Sequence, residues 1–465
     1  MSILRKTTLV SEKNALPCST KIAYLFCDNT HNDQCMKETK KIQNSWAMFD
    51  WANSSFTLII TVAIFPPYLL NYATEPFPFL GFDILPGSLL SFSLSIAYFL
   101  VVILSPLIGG IADYSGKRKL FMKLFTYLGG IACMSMFFFD STENLWIGVA
   151  GFILATIGYS GSLMIYNSYL PLITTEDNFD KLSAKGYTYG YIGSVILLVF
   201  CLVMISFPYL FGIETGSNLP IRLSFLFVGM WWIGFAQIAF WGLPSDTKGK
   251  IRPHVINKGW NEIRKVGSWV KQMPNTKSFL LTFLVYTAGV QTVLFLATTF
   301  AESVLNLGTS KLILVILILQ IIAILGAYFF AFVSSKKGNI FSIQAMLIIW
   351  VLVCFLAYSV TEEWQFFIIA GLVGLVMGGI QSISRSTYSK LVQGKPKDLS
   401  SFFAFYDVLE KVAIIAGTFS FGIVNQLTGN IRYSIFVLAT FFVVSFFLTL
   451  RIKSIDQNES YSVNS

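Results

Sequence analysis

Gly109-Gly110-Ile111-Ala112-Asp113-Tyr114-Ser115-Gly116-Lys117-Arg118-Lys119 is a short polar turn between two apolar runs, near 85–111 and 119–139. A helix ends at paired glycines, an acid precedes a third glycine, and three cations follow. Each flanking run is long enough to cross a ~30 Å hydrocarbon core at ~1.5 Å per residue. The turn therefore joins an antiparallel pair of membrane spans and holds its cations at one surface. Further runs of similar length lie near 46–73, 145–168, 186–207 and 220–243, then near 278–301, 311–334, 340–359, 364–388, 401–425 and 431–450. Lipid tolerates only helices or closed barrels, and no segment alternates like the ~10-residue strands of a barrel. The expected fold class is an all-α membrane protein of twelve transmembrane helices. A chain that is 55% hydrophobic and 12% charged excludes a water-soluble domain of this length.

Threaded in this way, 29 of the 33 Lys and Arg residues fall on one side. The other side holds Arg222, Lys311 and Arg432, together with acids such as Glu75, Asp83, Asp140, Glu143, Glu214, Glu362 and Glu363. Basic loops stay cytoplasmic, so both termini are expected there, in a multi-pass integral membrane protein. Basic loops beside an anionic leaflet account for the net charge of +9 without nucleic acid.

The longest interior polar segment separates six spans from six. The expected divisions are a cytoplasmic tail (1–45), a first half (46–243), a cytoplasmic linker (244–277), a second half (278–451) and a C-terminal tail (452–465). Within the linker, Trp260, Ile263, Val266 and Val270 can share one face of an amphipathic helix at the membrane surface, with Lys258, Arg264, Lys265 and Lys271 beside them; a plain solvated helix is the competing reading. Weak self-similarity suggests duplicated, pseudo-symmetric halves. Tyr169-Leu-Pro-Leu-Ile, Lys181-Leu-Ser-Ala and Tyr187-Thr-Tyr-Gly-Tyr191 follow span 4, and Tyr388-Ser-Lys-Leu-Val, Asp398-Leu-Ser-Ser and Phe403-Ala-Phe-Tyr-Asp407 follow span 10.

Polar residues inside spans are the candidates for function. Asp50, Asn53, Ser54, Thr57 and Thr61 share one face of an α-helix. That face reads as one wall of a solute pathway, with Asn53 and Thr57 bonding a polar substrate; interhelical packing is the alternative. Asp50 lies about one turn from the interface, which favours a helix-end contact. Glu410 and Lys411 stand about ten residues into span 11, roughly 15 Å deep. Asp407 and Lys411 are spaced for an ion pair. Glu410 points about 100° away with no local partner, which makes it the candidate to carry a coupling proton; a salt bridge to another helix is its rival role.

Arg385 is placed near the inner interface, where snorkelling explains it; its functional alternative is to hold a substrate carboxylate or phosphate. Gln381, Ser384, Arg385 and Tyr388 share a face and can bind solute together, while Gln291 and Asn167 are further substrate-binding candidates or interhelical hydrogen bonds. Gly186, Gly190 and Gly193 read as a close-packing stripe in span 5.

The Gly109–Lys119 turn resembles the loop signature of the major facilitator superfamily. The resemblance implies that Asp113 contacts a neighbouring helix N-terminus, where the helix dipole favours a carboxylate, and that Asp113, Gly116, Lys117 and Arg118 form a conformational latch. The second-half counterpart, Ser334-Ser335-Lys336-Lys337-Gly338-Asn339, lacks the acid, so no equivalent latch is expected. Trp46-Ala-Met-Phe-Asp50-Trp-Ala-Asn53-Ser-Ser-Phe56, Phe65-Pro-Pro-Tyr68, Tyr166-Asn-Ser-Tyr-Leu-Pro171 and Gly379-Ile-Gln-Ser-Ile-Ser-Arg385-Ser386 resemble the branch of fungal vacuolar amino-acid effluxers and their bacterial relatives. The similarity runs from Trp46 to about Arg451. It implies two six-helix halves in the major facilitator fold and secondary transport of small polar solutes, amino acids foremost. Asp407, Glu410 and Lys411 depart from the less charged eleventh helix of many members. Lipid-like cargo and a transporter-like sensor that moves nothing are the alternatives. Met36 stands just ahead of the similarity, where translation could start.

An enzyme is not expected. The two histidines, His31 and His254, lie in polar segments, and no GxxxxGK[ST], HExxH or GxSxG is present. Cys18, Cys27, His31 and Cys35 fit no zinc spacing, and Cys133, Cys201 and Cys354 lie within spans, so neither metal, cofactor nor disulfide is expected. The expected partners are a small-molecule substrate, a coupling proton and the lipid bilayer, with the chain acting as a monomer.

Overall fold

The computed structural model describes residues 32–72, 77–79, 82–84, 86–246, 255–305, 307, 309–394 and 397–452. Cys18, Cys27, His31 and nearly all of the C-terminal tail lie outside the described residues. Span 1 is built from Asn32–Ser55, Phe56–Ile64 and Phe65–Tyr72 in series. Spans 2 to 6 are Pro86–Ser115, Arg118–Ser135, Leu145–Ser168, Phe179–Ser206 and Leu219–Gly242. Spans 7 to 12 are Pro274–Leu305, Thr309–Lys337, Asn339–Ser359, Glu363–Val392, Leu399–Thr428 and Ile431–Thr449. Among the described residues, eleven helices are long and apolar enough to cross a membrane. Span 11 is the long helix outside that set, and it carries Asp407, Glu410 and Lys411.

Two helices begin earlier than hydropathy alone suggests. Span 1 reaches back to Asn32, so the expected tail boundary at residue 45 falls inside a helix. Span 5 starts at Phe179 and has Asp180 in its first turn. Both extensions lie on the side of the basic loops, where a helix needs no apolar surface.

The middle of span 1, Phe56–Ile64, is a π-helix, and the N–H of Phe65 bonds the carbonyl of Ile60, five residues back. Pro66 and Pro67 follow and supply no N–H. The wider turn changes which residues share a face beyond Phe56.

Lipid-facing surfaces are apolar, with Phe99, Ile131, Leu325, Phe355 and Phe447 exposed, and Trp146, Trp241 and Trp364 near helix ends. Inward surfaces approach closely because glycines remove side chains. The halves meet in two equivalent seams, span 2 against span 11 and span 5 against span 8, with span 10 also against span 5. The linker helix, Val255–Gln272, packs against span 2 and the start of span 11. Val266 is fully buried and Trp269 stacks on Phe402 at 6.2 Å, so this part of the face meets protein, while the side chains of Trp260 and Ile263 lie outside the described residues.

The tightest test of this packing is span 10 on span 8. A Cβ at Gly374 would stand 2.5 Å from the carbonyl oxygen of Leu319 and 3.1 Å from its Cα. Gly374→Val is expected to destabilise the protein by about 1–3 kcal/mol through overpacking, read as a lower melting temperature in detergent; an unchanged melting temperature would refute the contact.

Candidate functional site

A cavity of about 230 Å³ lies between the halves, walled by spans 1, 2, 4 and 5 of the first half and 7, 8, 10 and 11 of the second. Its wall includes Thr57, Asn167, Gln291, Gln381 and Glu410, five of the residues expected from sequence. Several of these polar groups already have protein partners. Gln291 donates to Glu410 at 2.9 Å, Gln381 accepts from the Tyr191 hydroxyl at 2.8 Å, and Asn167 accepts from Arg385 at 3.3 Å.

The expected face of span 1 is only partly on this wall. Asp50, Ser54 and Thr57 line the cavity, followed by Leu58 and Val62 rather than Thr61. The π-helical turn is the physical reason, because it displaces the register that i, i+7 and i+11 assume. Asn53 is fully buried instead of lining the wall, and neither polar atom of its amide has a hydrogen-bond partner among the described residues. Gln320 of span 8 lines the cavity with its Oε1 unpaired, a residue missed in the sequence because a single glutamine in an apolar run carries no pattern.

Span 11 places Glu410 and Lys411 on the cavity wall, with Asp407 buried beside them. Lys411 Nζ lies 3.3 Å from both Asp407 Oδ1 and Glu410 Oε2, and Ser105 donates to Asp407 at 2.8 Å. The expected Asp407–Lys411 pair is present. Glu410, expected to lack a local partner, has two, because the long lysine stem spans the 100° between neighbouring positions and Gln291 approaches from span 7. The side chain of Glu410 is 23% exposed, against 5% for Asp407 and 4% for Lys411. Only Glu410 of the three offers substantial surface to the cavity.

Arg385 does not snorkel. Its side chain is 1% exposed, two turns inside span 10, and pairs with Asp50 at 3.0 Å. Asp50 likewise makes no helix-end contact; it also accepts from the Tyr166 hydroxyl at 2.7 Å. The two charges are buried because each satisfies the other. Of the face expected to bind solute with Arg385, Gln381 and Ser384 reach the cavity, whereas Tyr388 is buried and donates to the carbonyl of Phe402 at 2.7 Å. Gly186, Gly190 and Gly193 all face span 1, as the close-packing reading requires.

The side of the basic loops is closed by carboxylates on backbone and side-chain donors. Asp113 accepts from the N–H groups of Ser400 and Ser401 at 3.1 and 2.7 Å, at the N-terminus of span 11. Gly116 turns the chain with φ of 66°, Lys117 bonds the carbonyl of Ala112 through its N–H at 3.2 Å, and Arg118 pairs with Asp113 at 2.8 Å. Arg118 also donates to Ser400 Oγ and to the carbonyl of Lys397, both at 2.9 Å.

The other seam also has an acid, contrary to expectation, but the opposite element supplies it. Asp180 of span 5 accepts from Ser334 at 2.9 Å, Asn339 at 2.8 Å, Ser386 at 2.6 Å and Lys390 at 3.1 Å. Gly338 turns that loop with φ of 84°. The second loop carries no acid of its own because this seam exchanges the roles of loop and helix.

A family model described as "Vacuole effluxer Atg22 like" matches residues 38–459. An uncharacterized MFS-type transporter, YxiO of Bacillus subtilis, is 29% identical over 414 residues, covering 88% of this chain and 94% of its own. Autophagy-related protein 22 of Kluyveromyces lactis is 24% identical, with 77% of each chain covered. Among solved structures, the human organic anion transporter MFSD10 (TETRAN) superposes with a TM-score of 0.67 at 13% identity, covering 88% of this chain and 99% of its own. The major facilitator transporter FucP in its outward conformation gives 0.64 at 12% identity, covering 90% and 99%. These structural likenesses establish the major facilitator fold.

Removing the cation of span 11 should expose the charge balance of the site. Lys411→Met leaves two carboxylates without their lysine and is expected to destabilise the protein by about 3–5 kcal/mol, whereas Asp407→Asn combined with Lys411→Met should lose much less. Melting in detergent compares the two; equal losses would refute the pairing.

Proposed function

The chain belongs to the vacuole effluxer Atg22-like family of major facilitator transporters, and on that premise we propose that it moves amino acids by alternating access, coupled to a proton at Glu410. The observation that carries the proposal is the central cavity, walled by both halves, in which Glu410 is the exposed member of a three-charge cluster. The Asp113 and Asp180 contacts close the basic side. On spans 7 and 8 the wall extends to Ala297 and Val315, each about two turns inside its helix from the connection opposite the basic side. That geometry is an outward-facing state if the basic side is cytoplasmic, in a bacterial inner membrane with both termini inside.

Asp407 and Glu410 against Lys411 leave the cluster one negative charge when both acids are ionised. A proton on Glu410 cancels that charge and frees Lys411 to favour Asp407 alone. Protonation of Glu410 thereby changes the charge that the cavity wall presents to a cargo. Tyr98, Tyr159, Tyr187, Tyr191, Tyr286 and Tyr406 add six aromatic rings to the wall, which suit a cargo with an apolar side chain. In this reading Asn167, Gln291 and Gln381 become substrate donors and acceptors when they exchange their present protein partners. The protein acts as a monomer, because one chain supplies the complete cavity.

Opening toward the basic side requires the Asp113 carboxylate to leave the two amides of span 11. Each such contact is charge-assisted, so the latch holds one state until the halves rock together. The test is uptake of a labelled amino-acid panel into proteoliposomes with and without an inward proton gradient. Gradient-driven uptake is expected in wild type, and Glu410→Gln should abolish the dependence on the gradient. Absence of amino-acid flux would overturn the cargo, and gradient-driven flux surviving in the variant would overturn Glu410 as the coupling site.

A further inference from the structure

Arg385 belongs to span 10 of the second half, yet every guanidinium partner among the described residues comes from the first half. Nε donates to Ser183 Oγ at 2.9 Å and Nη2 to the Ser183 carbonyl at 2.8 Å. Nη1 donates to Asp50 Oδ2 at 3.0 Å and to Asn167 Oδ1 at 3.3 Å. The rings of Tyr187 and Trp46 lie 4.2 and 4.8 Å from the guanidinium carbon. Gly186 makes the space, since a Cβ there would stand 2.5 Å from Asp50 Oδ2 and 2.7 Å from Arg385 Nη2. One half thus inserts a single charged side chain into a socket cut from spans 1, 4 and 5 of the other.

Parting the halves on the basic side withdraws the guanidinium and strands Asp50. A buried carboxylate that loses its counter-charge is strongly unfavourable, so the socket must receive another positive charge before it opens. The cavity can supply it. Asp50 is part of the cavity wall, and its Oδ2 already accepts from both Tyr166 and Arg385, while no described residue donates to Oδ1. A cation entering from the cavity can take the second oxygen while Arg385 still holds the first.

We propose that Arg385 is an electrostatic bolt between the halves, and that the ammonium group of the cargo, bound by Asp50 from the cavity, releases it. The second clause rests on the amino-acid reading above; the first does not. Asp50 and Arg385 are therefore gating residues that make opening depend on occupancy. Glu410 remains a separate acid on span 11.

Labelling tests the bolt without requiring flux. Ala404 is fully buried in the seam between spans 2 and 11, where a Cβ on Gly109 would stand 3.0 Å from its own Cβ. A404C, in a chain whose six native cysteines are replaced by serine, reports opening through its rate of reaction with an impermeant maleimide added on the basic side. Asp50→Asn is expected to raise that rate at least about tenfold, because the bolt loses its counter-charge. Asp50→Asn with Asn167→Asp should restore the slow rate, since Asn167 Oδ1 already lies 3.3 Å from Nη1. An unchanged rate in the single variant, or a fast rate persisting in the double, overturns the bolt. Should Asp50→Asn fail to fold, Arg385→Lys, which keeps the charge but loses the fork, is expected to raise the rate to a lesser degree, and no rise overturns it.

In the same cysteine-replaced A404C chain with Asp50 and Arg385 unchanged, an amino-acid mixture should speed labelling and the same acids N-acetylated should not. Equal acceleration by both overturns release by the ammonium group. If neither accelerates labelling, the amino-acid cargo fails, and the variants still decide the bolt.

Discussion

A charge carried into the hydrocarbon must meet its opposite, and in this protein that requirement holds the two halves together on one side. Asp50 with Arg385 and Asp180 with Lys390 are buried pairs that join different halves. Asp113 reaches across to the N-terminal amides of span 11. Buried ion pairs add little net stability over apolar packing of the same shape, yet breaking one is costly. Their effect here is to favour one relative placement of the halves in which every charge is satisfied. Lipid-facing apolar surface cannot do this, because it is indifferent to a small rotation.

The same economy separates the two ends of span 11. Its N-terminus is held by Asp113, by Arg118 and, through Asp398, by Lys265 of the linker helix at 3.2 Å. Three turns further on, Glu410 and Lys411 reach the cavity. A rigid helix thus connects the closed seam to the charged wall, so a change at either end is felt as a displacement at the other. The linker, docked on this seam through Val266 and Trp269, belongs to the closed structure and does more than tether two halves.

Much of this was legible in the chain because hydrocarbon imposes severe rules. Run length was enough for twelve spans, and the i, i+4 spacing predicted Asp407 with Lys411. The contact of Asp113 with a helix N-terminus followed from the resemblance of its loop to a known family signature. What stayed hidden depends on distance across the fold. Nothing near Arg385 in sequence announces Asp50, 335 residues away. Asp180 was invisible as a partner across the seam because it stands in a helix whose polar first turn hydropathy discards. Thr61 was assigned to the wrong face because α-helical periodicity was extended through a segment that is not α-helical.

That π-helical segment of span 1 also sets how the cavity can be recut. It lies beyond Asp50, on the far side of the bolt from the basic loops, and its wider turn brings Leu58 and Val62 to the wall. A return of Phe56–Ile64 to α-helical hydrogen bonding with no residue lost would rotate the wall toward Thr61, leaving Trp46, Asp50 and their partners in place. The composition of the cavity wall and the Asp50–Arg385 pair are therefore separable within a single helix. A chain built this way can drift in what it accepts while keeping how it opens.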